Sequence, residues 1–298
     1  MLRSRAKINS ILCFLLMLTC SVVHAMPKQI LDCLKQHNET AQEETPLYAQ
    51  GFSIYKGQRF SFIEVKERYG LKGQAEIILI SSKNLSCSNM KDLHPPFKKV
   101  LSLSTTFIPL FDLGKNKNFL FGISGKSFVN SAWAMENLKK GQIKDIGYPP
   151  NLETVANLAP DLILLYPLAE QEFSLAEKFK ALKLNYVSFA EYLEPHPLGR
   201  AEWVKVFCQI LECGVDIQAE FAKIANDYER TKASAQKSRA KPKVMMGSFW
   251  GGDWHSPGGD SFLAKLVGDA GGEYIFSTPK TAQTKVVDFE FVYSIFSS

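Results

Sequence analysis

The stretch Asp161-Leu162-Ile163-Leu164-Leu165-Tyr166 decides the fold class of this chain. An uninterrupted apolar run of this length, bounded by prolines, is typical of a strand that is buried on both faces. Similar runs occupy residues 100–103, 119–123 and 185–189, and each is followed by a stretch with helical periodicity. This alternation predicts a parallel sheet covered by helices, in which ligands bind beyond the carboxyl ends of the strands.

The composition is that of a globular protein. The chain has 298 residues, of which 46% are apolar and 22% are charged, so it can bury a core in two lobes. These values exclude a disordered chain, a collagen and a coiled coil. The formal net charge is +5, and Arg3, Arg5 and Lys7 supply three of these charges. The remaining surplus is too small to indicate a nucleic-acid partner.

The first 25 residues have the pattern of a secretory signal peptide. A basic start precedes an apolar run over residues 11–23, and Val23-His24-Ala25 forms a cleavage site after Ala25. The run is shorter than the roughly 20 residues that span a bilayer. A lipoprotein anchored through Cys20 is the alternative, but Thr19 is large for the residue before an acylated cysteine. We therefore expect a soluble protein exported to the periplasm.

Export would leave four cysteines in an oxidising compartment, and an even number there favours disulfides. Three pairings of Cys33, Cys87, Cys208 and Cys213 are possible. We prefer Cys33 with Cys87 and Cys208 with Cys213; four buried thiols are the alternative. The chain has no C-x-x-C spacing, so neither a zinc knuckle nor a thioredoxin-type redox centre is indicated.

Changes in the pattern of apolar residues along the sequence divide the chain into five segments. We expect a signal peptide (1–25), a β-rich extension (26–96), an α/β lobe (97–198), a linking helix (199–240) and a second α/β lobe (241–298). The extension would form a hairpin lid or a flanking sheet, the helix would break once near Gly214, and both lobes would be three-layered with parallel sheets. Residues 288–292 repeat the helix opening at 151–155, but no strand follows, so we expect the second lobe to be truncated.

Four pieces of the sequence, in order, resemble the substrate-binding proteins of bacterial ABC importers. The pieces are residues 100–106, 145–153, 158–163 and 268–272, and residues 191–203 are also similar to this group. The likeness is to the subgroup with two lobes joined by one long helix, which binds iron-siderophore complexes, haem or vitamin B12. It implies a monomeric clamp that captures an iron or cobalt chelate and delivers it to an inner-membrane permease dimer with its ATPase, without a permanently bound cofactor.

The same resemblance implies two docking residues. In this family a glutamate on each lobe pairs with arginines of the permease, and the matching positions here are Glu153 and Glu290. Exposed charges of this kind raise the encounter rate and fix the register of a complex. The alternative is that each glutamate complements the dipole of a helix that begins beside it.

Candidate ligand-binding residues follow the predicted strands. Those of the first lobe are Thr105, Thr106, Lys126, Tyr148 and Tyr166, with Glu191 after the last strand; those of the second lobe are Trp250, Trp254 and His255, in a glycine-rich loop. Aromatic surface with a few hydroxyls suits a bulky, partly apolar chelate. Other roles stay open: the tryptophans or Tyr166 could pack in the core, Lys126 could be solvated, and His255 could hydrogen-bond within its loop rather than ligate haem iron.

Other functions fit the residues poorly. Gly125-Lys126-Ser127 resembles part of a phosphate loop, but Leu120 stands where that motif requires glycine. Asp253, His255 and Ser256 crowd one loop, whereas a hydrolase triad converges from separate segments. The few histidines are spread along the chain, so a bare-metal site is not indicated. We therefore expect no enzyme; a truncated interaction module that holds a surface partner is the alternative function.

Overall fold

The computed structural model describes residues 25–81, 85–114, 116–168, 170–278, 280–281 and 284–296, so the predicted signal peptide and Cys20 lie outside the described residues. The α-helices are α1 (Lys28–His37), α2 (Ile108–Phe111), α3 (Ala132–Lys139), α4 (Leu152–Leu158), α5 (Glu170–Ala181), α6 (Pro197–Glu202), α7 (Val204–Leu211), α8 (Ile217–Ala235), α9 (Phe262–Asp269) and α10 (Phe289–Phe296). Within these ranges, no helix combines the length and the apolar character needed to cross a bilayer.

The strands form four sheets. They are β1 (Gln42–Glu44), β2 (Phe52–Lys56), β3 (Phe60–Val65), β4 (Glu76–Ser81), β5 (Lys91–Leu93), β6 (Val100–Ser102), β7 (Leu120–Ile123), β8 (Lys144–Asp145), β9 (Leu162–Leu165), β10 (Tyr186–Ser188), β11 (Lys243–Val244), β12 (Ser248–Trp250), β13 (Asp253–Ser256), β14 (Glu273–Tyr274) and β15 (Lys285–Asp288). The chain is thus a mixed α/β protein.

The first lobe contains the parallel sheet that the apolar runs predict. Its strand order is β10-β9-β6-β7-β8, and every neighbouring pair is parallel. On one face, Leu101, Ile163 and Leu165 pack against Val155 of α4 and Phe179 of α5. On the opposite face, Val100, Leu162 and Leu164 belong to the largest apolar cluster of the described residues. Both faces are therefore covered, which explains why β9 is apolar at every position.

The extension forms a flanking sheet with strand order β1-β2-β3-β4-β5. Alternation along β4 divides its side chains between two cores, because successive residues point to opposite faces. Ile77 and Leu79 pack towards Ile30 of α1. Ile78 and Ile80 belong to the cluster that also holds the central strands of the first lobe and the linking helices. The extension is thus packed into the first lobe instead of forming a separate lid.

Two buried carboxylates fasten the extension to the linker. The side chain of Glu202 accepts backbone N–H bonds from Leu47, Tyr48 and Ala49 at 2.8–2.9 Å and pairs with Lys205 Nζ at 2.7 Å. Nearby, Glu194 accepts the N–H groups of residues 50 and 51 and the indole N–H of Trp203. Both glutamates are at most 1% exposed, so these bonds compensate their desolvation.

The linking segment differs from the single interrupted helix predicted for 199–240. The structure has three helices, α6, α7 and α8, with breaks at Trp203 and over residues 212–216. The first break lets Trp203 turn into the core beside Phe52 and Phe189. Helix α8 is the long element, with 19 residues, and Asp216 caps it by accepting N–H bonds from Gln218 and Ala219.

The second lobe also differs in its pairing. Among the described residues of this lobe, the predicted parallel arrangement is present only in the pair β11–β14, whereas β12, β13 and β15 form an antiparallel sheet. The stretch expected to be a glycine-rich loop is largely the hairpin β12–β13. Gly251 and Gly252, with φ of 66° and 98°, form its two-residue turn. Such turns need positive φ, which glycine adopts without strain.

The described residues contain two disulfide bonds, one between distant segments and one between residues close in sequence. Cys33 of α1 is joined to Cys87, and this bridge holds the helix against the extension sheet. Cys208 is joined to Cys213 across the end of α7. The Cys213 sulfur also accepts a bond from Asn116 Nδ2 at 2.8 Å, so the end of α7 is tied to the first lobe.

Candidate ligand-binding site

The five parallel strands bring most of the predicted first-lobe residues to one edge. Thr105 and Thr106 follow β6, Lys126 follows β7, Tyr148 follows β8 and Tyr166 follows β9. Neighbouring strands are about 4.8 Å apart, so the edge from β8 to β10 is roughly 19 Å long. This edge is long enough to contact a bulky solute along one side.

One end of this edge presents an exposed aromatic pair. Phe128 and Tyr148 are 61% and 70% exposed, and their rings meet edge to face at 5.4 Å. Lys126 is paired with Asp145 at 2.9 Å, and this hydrogen-bonded ammonium lowers the pKa of the Asp145 carboxyl. Ser124 donates to the Gly147 carbonyl at 2.6 Å and fixes the loop that carries Tyr148. The pair offers flat apolar surface to a ligand, whereas Lys126 already has a partner.

The other end of the edge holds a cavity of about 360 Å³. Its lining comes from the first lobe, the linker and the second lobe: Thr106, Phe107, Leu110, Phe189, Glu191, Pro197, Arg200, Ala201, Trp203, Val204 and Phe262. We call it the junction pocket. Its apolar wall is formed by three packed aromatic rings. The ring centroids of Phe107 and Phe189 are 5.0 Å apart, and those of Phe189 and Trp203 are 6.2 Å apart. An apolar group of a ligand would therefore be desolvated there.

Three polar side chains meet beside this wall. Arg200 donates to the Tyr166 hydroxyl at 3.4 Å, and its guanidinium lies over the Phe262 ring at 4.9 Å. Burial, and then the charge of Glu191, raises the pKa of Tyr166 to about 12. Burial also raises the pKa of Glu191 above its ordinary value. Tyr166 is 9% exposed, so it closes the core and reaches the pocket only through its hydroxyl partner.

The predicted second-lobe residues separate into two groups. Trp250 is 74% exposed at the end of β12, and the His255 ring lies 5.7 Å from it, with Nε2 hydrogen-bonded to the Trp250 carbonyl at 3.1 Å. Trp254 instead packs against the lobe's own core, and its indole N–H donates to the Met246 carbonyl at 3.3 Å. Of the two tryptophans, Trp250 is the one that offers free ring surface.

The two predicted docking residues occupy equivalent positions. Glu153 lies in the first turn of α4, which Asn151 caps by accepting the Thr154 N–H at 2.8 Å. Glu290 lies in the first turn of α10, and its N–H donates to Asp288 at 2.7 Å. Both glutamates are exposed. The repeated helix opening seen in the sequence is therefore present in the structure, on both lobes.

Comparison with known proteins decides the family. The sequence pattern of the periplasmic binding proteins matches residues 103–295. The chain belongs to this family. The family is one of binding proteins, and this membership indicates a location outside the cytoplasm. An uncharacterized lipoprotein of Methanocaldococcus jannaschii is 26% identical over 253 residues, which is 79% of this chain but only 60% of that relative.

Solved structures show that this periplasmic binding protein has the fold of known members. A possible iron-binding (periplasmic solute-binding) protein from Staphylococcus epidermidis has a TM-score of 0.53 and 18% identity, over 67% of this chain and 74% of its own. A periplasmic haem-binding protein from Roseiflexus in its apo form has a TM-score of 0.51 and 17% identity, over 67% and 73%. The predicted resemblance to binding proteins of this type is thus confirmed.

Sequence reasoning missed two residues of the site. Arg200 lies within the family-like segment 191–203, and Phe262 is the first residue of α9. Neither follows a strand of the first lobe, so the rule that ligands bind at strand ends could not select them. Arg200 lies in the last turn of the six-residue helix α6, where a cation is favourable, so no local signal distinguished it from a capping residue.

Proposed function

We propose that this protein is the solute-capture component of an ABC importer, and that it binds a metal chelate of the iron-siderophore, haem or cobalamin type between its lobes. Family membership supports a binding role, and no reaction is proposed. The observation that carries the proposal is the long carboxyl edge of the first-lobe sheet, with an exposed aromatic pair at one end and the apolar junction pocket at the other. Such a surface suits a large, partly apolar solute.

Delivery would use the two exposed glutamates. Glu153 and Glu290 stand at matching helix openings on the two lobes, so a permease dimer could contact both at once. We propose that each pairs with an arginine of that dimer, which couples to its ATPase. The proposed carrier is a periplasmic monomer without a resident cofactor and without a nucleic-acid partner. We propose the same five segments as the sequence predicts, with boundaries after residues 25, 96, 198 and 240.

The test is a fluorescence titration of the full chain with ferric siderophores, haemin and cobalamin. Exposed tryptophan and tyrosine rings at the site should be quenched by whichever chelate binds. Tyr148→Ala should weaken that binding by about tenfold, since it removes half of the exposed aromatic pair.

A matched control is Leu182→Ala. Leu182 is 50% exposed and precedes β10, so it lies at the opposite edge of the same sheet. The Leu182→Ala variant should bind the chelate with the same affinity as the unchanged protein. Equal weakening by both substitutions would contradict the proposed site. Saturable binding to none of the chelates would overturn solute capture and favour the interaction module.

A further inference from the structure

The junction pocket is lined by two oppositely charged side chains, which act on each other electrostatically without forming a direct ion pair. Glu191 and Arg200 both line it, and among the described residues they form no ion pair within 4.0 Å. The Glu191 Oε2 atom is buried and has no hydrogen-bond partner in the described part of the chain. Among the described residues, the Arg200 side chain makes one hydrogen bond, the long contact of 3.4 Å to the Tyr166 hydroxyl.

The size of the pocket fits a substituted ring or a short branched chain. Its volume is about 360 Å³, whereas a cavity of roughly 150 Å³ already admits benzene. The walls beside the two charges are Phe107, Phe189 and Trp203, all at most 2% exposed. An apolar body would thus be buried there, with its polar end beside Glu191 and Arg200.

We propose that the junction pocket binds a neutral, carboxamide-bearing apolar arm of the captured solute. The amide N–H would donate to Glu191, and the amide carbonyl would accept from Arg200. This inference rests on the proposed function, because it names the chemistry of one part of the same ligand. It makes Glu191 and Arg200 specificity-determining residues.

Charge balance selects the amide over charged groups. A carboxylate would pair with Arg200 but would face Glu191, and an ammonium would do the reverse. In an apolar surrounding, a like charge that is not compensated costs more than a neutral hydrogen bond contributes. A purely apolar arm would leave the buried Oε2 of Glu191 without a partner. A group with one donor and one acceptor and no net charge satisfies both side chains.

The test uses three probes of equal shape: benzamide, benzoate and benzamidinium. Their affinities for the full chain are measured by ligand-observed saturation-transfer NMR. Benzamide should bind at least about fivefold more tightly than either ion, as expected for one compensated buried polar group. Tighter binding of benzoate or benzamidinium, or no binding of benzamide, would overturn the inference.

Two charge-removing substitutions sharpen the test. Glu191→Gln leaves Arg200 in excess, so benzoate should gain relative to benzamide. Arg200→Gln leaves Glu191 in excess, so benzamidinium should gain. Leu182→Ala, which lies outside the pocket at the opposite edge of the sheet, is the control and should leave the order of the probes unchanged. Unchanged order in both charge variants would contradict the assignment of the two residues.

The two proposals fail in different ways. If benzamide binds as expected but no chelate binds, the pocket chemistry stands and solute capture by this chain is wrong. If a chelate binds while the probes show no charge-dependent order, solute capture stands and the amide assignment is wrong. The order of the probes on the unchanged protein decides the inference even if a variant does not fold.

Discussion

The two ends of the molecule differ in how they are held together. The extension, the first lobe and the first linking helices share one large core, in which Phe52, Phe107 and Phe207 are at most 1% exposed. In the described part of the second lobe the core has five buried residues, and Phe249 and Trp250 are more than half exposed. The first-lobe side is therefore a rigid platform, whereas the described second lobe depends on its contacts with α8.

Those contacts converge on one carboxylate. Asp269, at the end of α9, accepts a bond from the Tyr228 hydroxyl at 2.8 Å and pairs with Lys265 at 2.8 Å and Lys232 at 3.3 Å. Gln236 adds a bond to the Gly268 carbonyl at 2.8 Å. The first-lobe side thus uses two buried glutamates within a large core, whereas the second lobe uses one buried aspartate beside a small core.

The largest effect is expected from Glu202→Ala. The substitution leaves the buried Lys205 ammonium and three backbone N–H groups, one of them buried, without their acceptor. Breaking a buried pair in this way costs about 3–5 kcal/mol of unfolding free energy. Urea denaturation followed by tryptophan fluorescence would measure it, because Trp203 lies in the same core.

The control for this prediction is Glu220→Ala on α8. Glu220 pairs with Lys223 at 2.7 Å, but both side chains are exposed, so the loss of this pair and of the first-turn charge should lower stability far less than Glu202→Ala does. A stability change of similar size in both variants would show that the fastening of the extension is not the cause.

A smaller and local effect is expected from Asp269→Ala. It removes the acceptor for Tyr228, Lys232 and Lys265, and should cost about 1–3 kcal/mol. Hydrogen exchange followed by mass spectrometry should show faster exchange in α9 while β6 and β9 keep their protection. Equal acceleration in the first-lobe strands would break the distinction between the two regions.

The smallest effect is a pH dependence at the junction pocket. Burial raises the pKa of Glu191, so the folded protein holds that proton more tightly than the unfolded chain. The stabilisation from this site is therefore present below the ordinary glutamate pKa near 4.5 and is lost as the pH rises through the raised pKa.

Glu191→Gln should remove this component. Urea denaturation of both proteins between about pH 4 and about pH 8 gives the difference in unfolding free energy, covering the usual range of a raised carboxyl pKa. The unchanged protein should lose stability relative to the variant as the pH rises. A difference that is constant with pH would mean that Glu191 titrates alike in both states.

Local patterns were enough to predict the first lobe. The apolar run 162–166 gave β9, and the repeated helix openings at residues 151 and 288 gave α4 and α10. A local signal also exists for the hairpin β12–β13, because two glycines between short strands favour a tight turn and not the glycine-rich loop expected for this stretch.

Long-range partners could not be predicted in this way. Glu202 and the segment it holds are separated by 153 to 155 residues, and nothing near Glu202 identifies backbone N–H groups as its partners. The separation of Trp250 from Trp254 likewise depends on the pairing of β13 between β12 and β15, which turns Trp254 to the core. The junction pocket joins three distant segments and was visible only after folding.

The most direct measurement of the central claim is thermal unfolding of the protein with and without ferric siderophores, haemin and cobalamin. A chelate present at 100 times its dissociation constant should raise the unfolding free energy by about 2.7 kcal/mol, which is visible as a higher midpoint. We predict that one chelate class raises the midpoint and that Tyr148→Ala reduces the rise. A cooperative transition that no chelate moves would contradict solute capture.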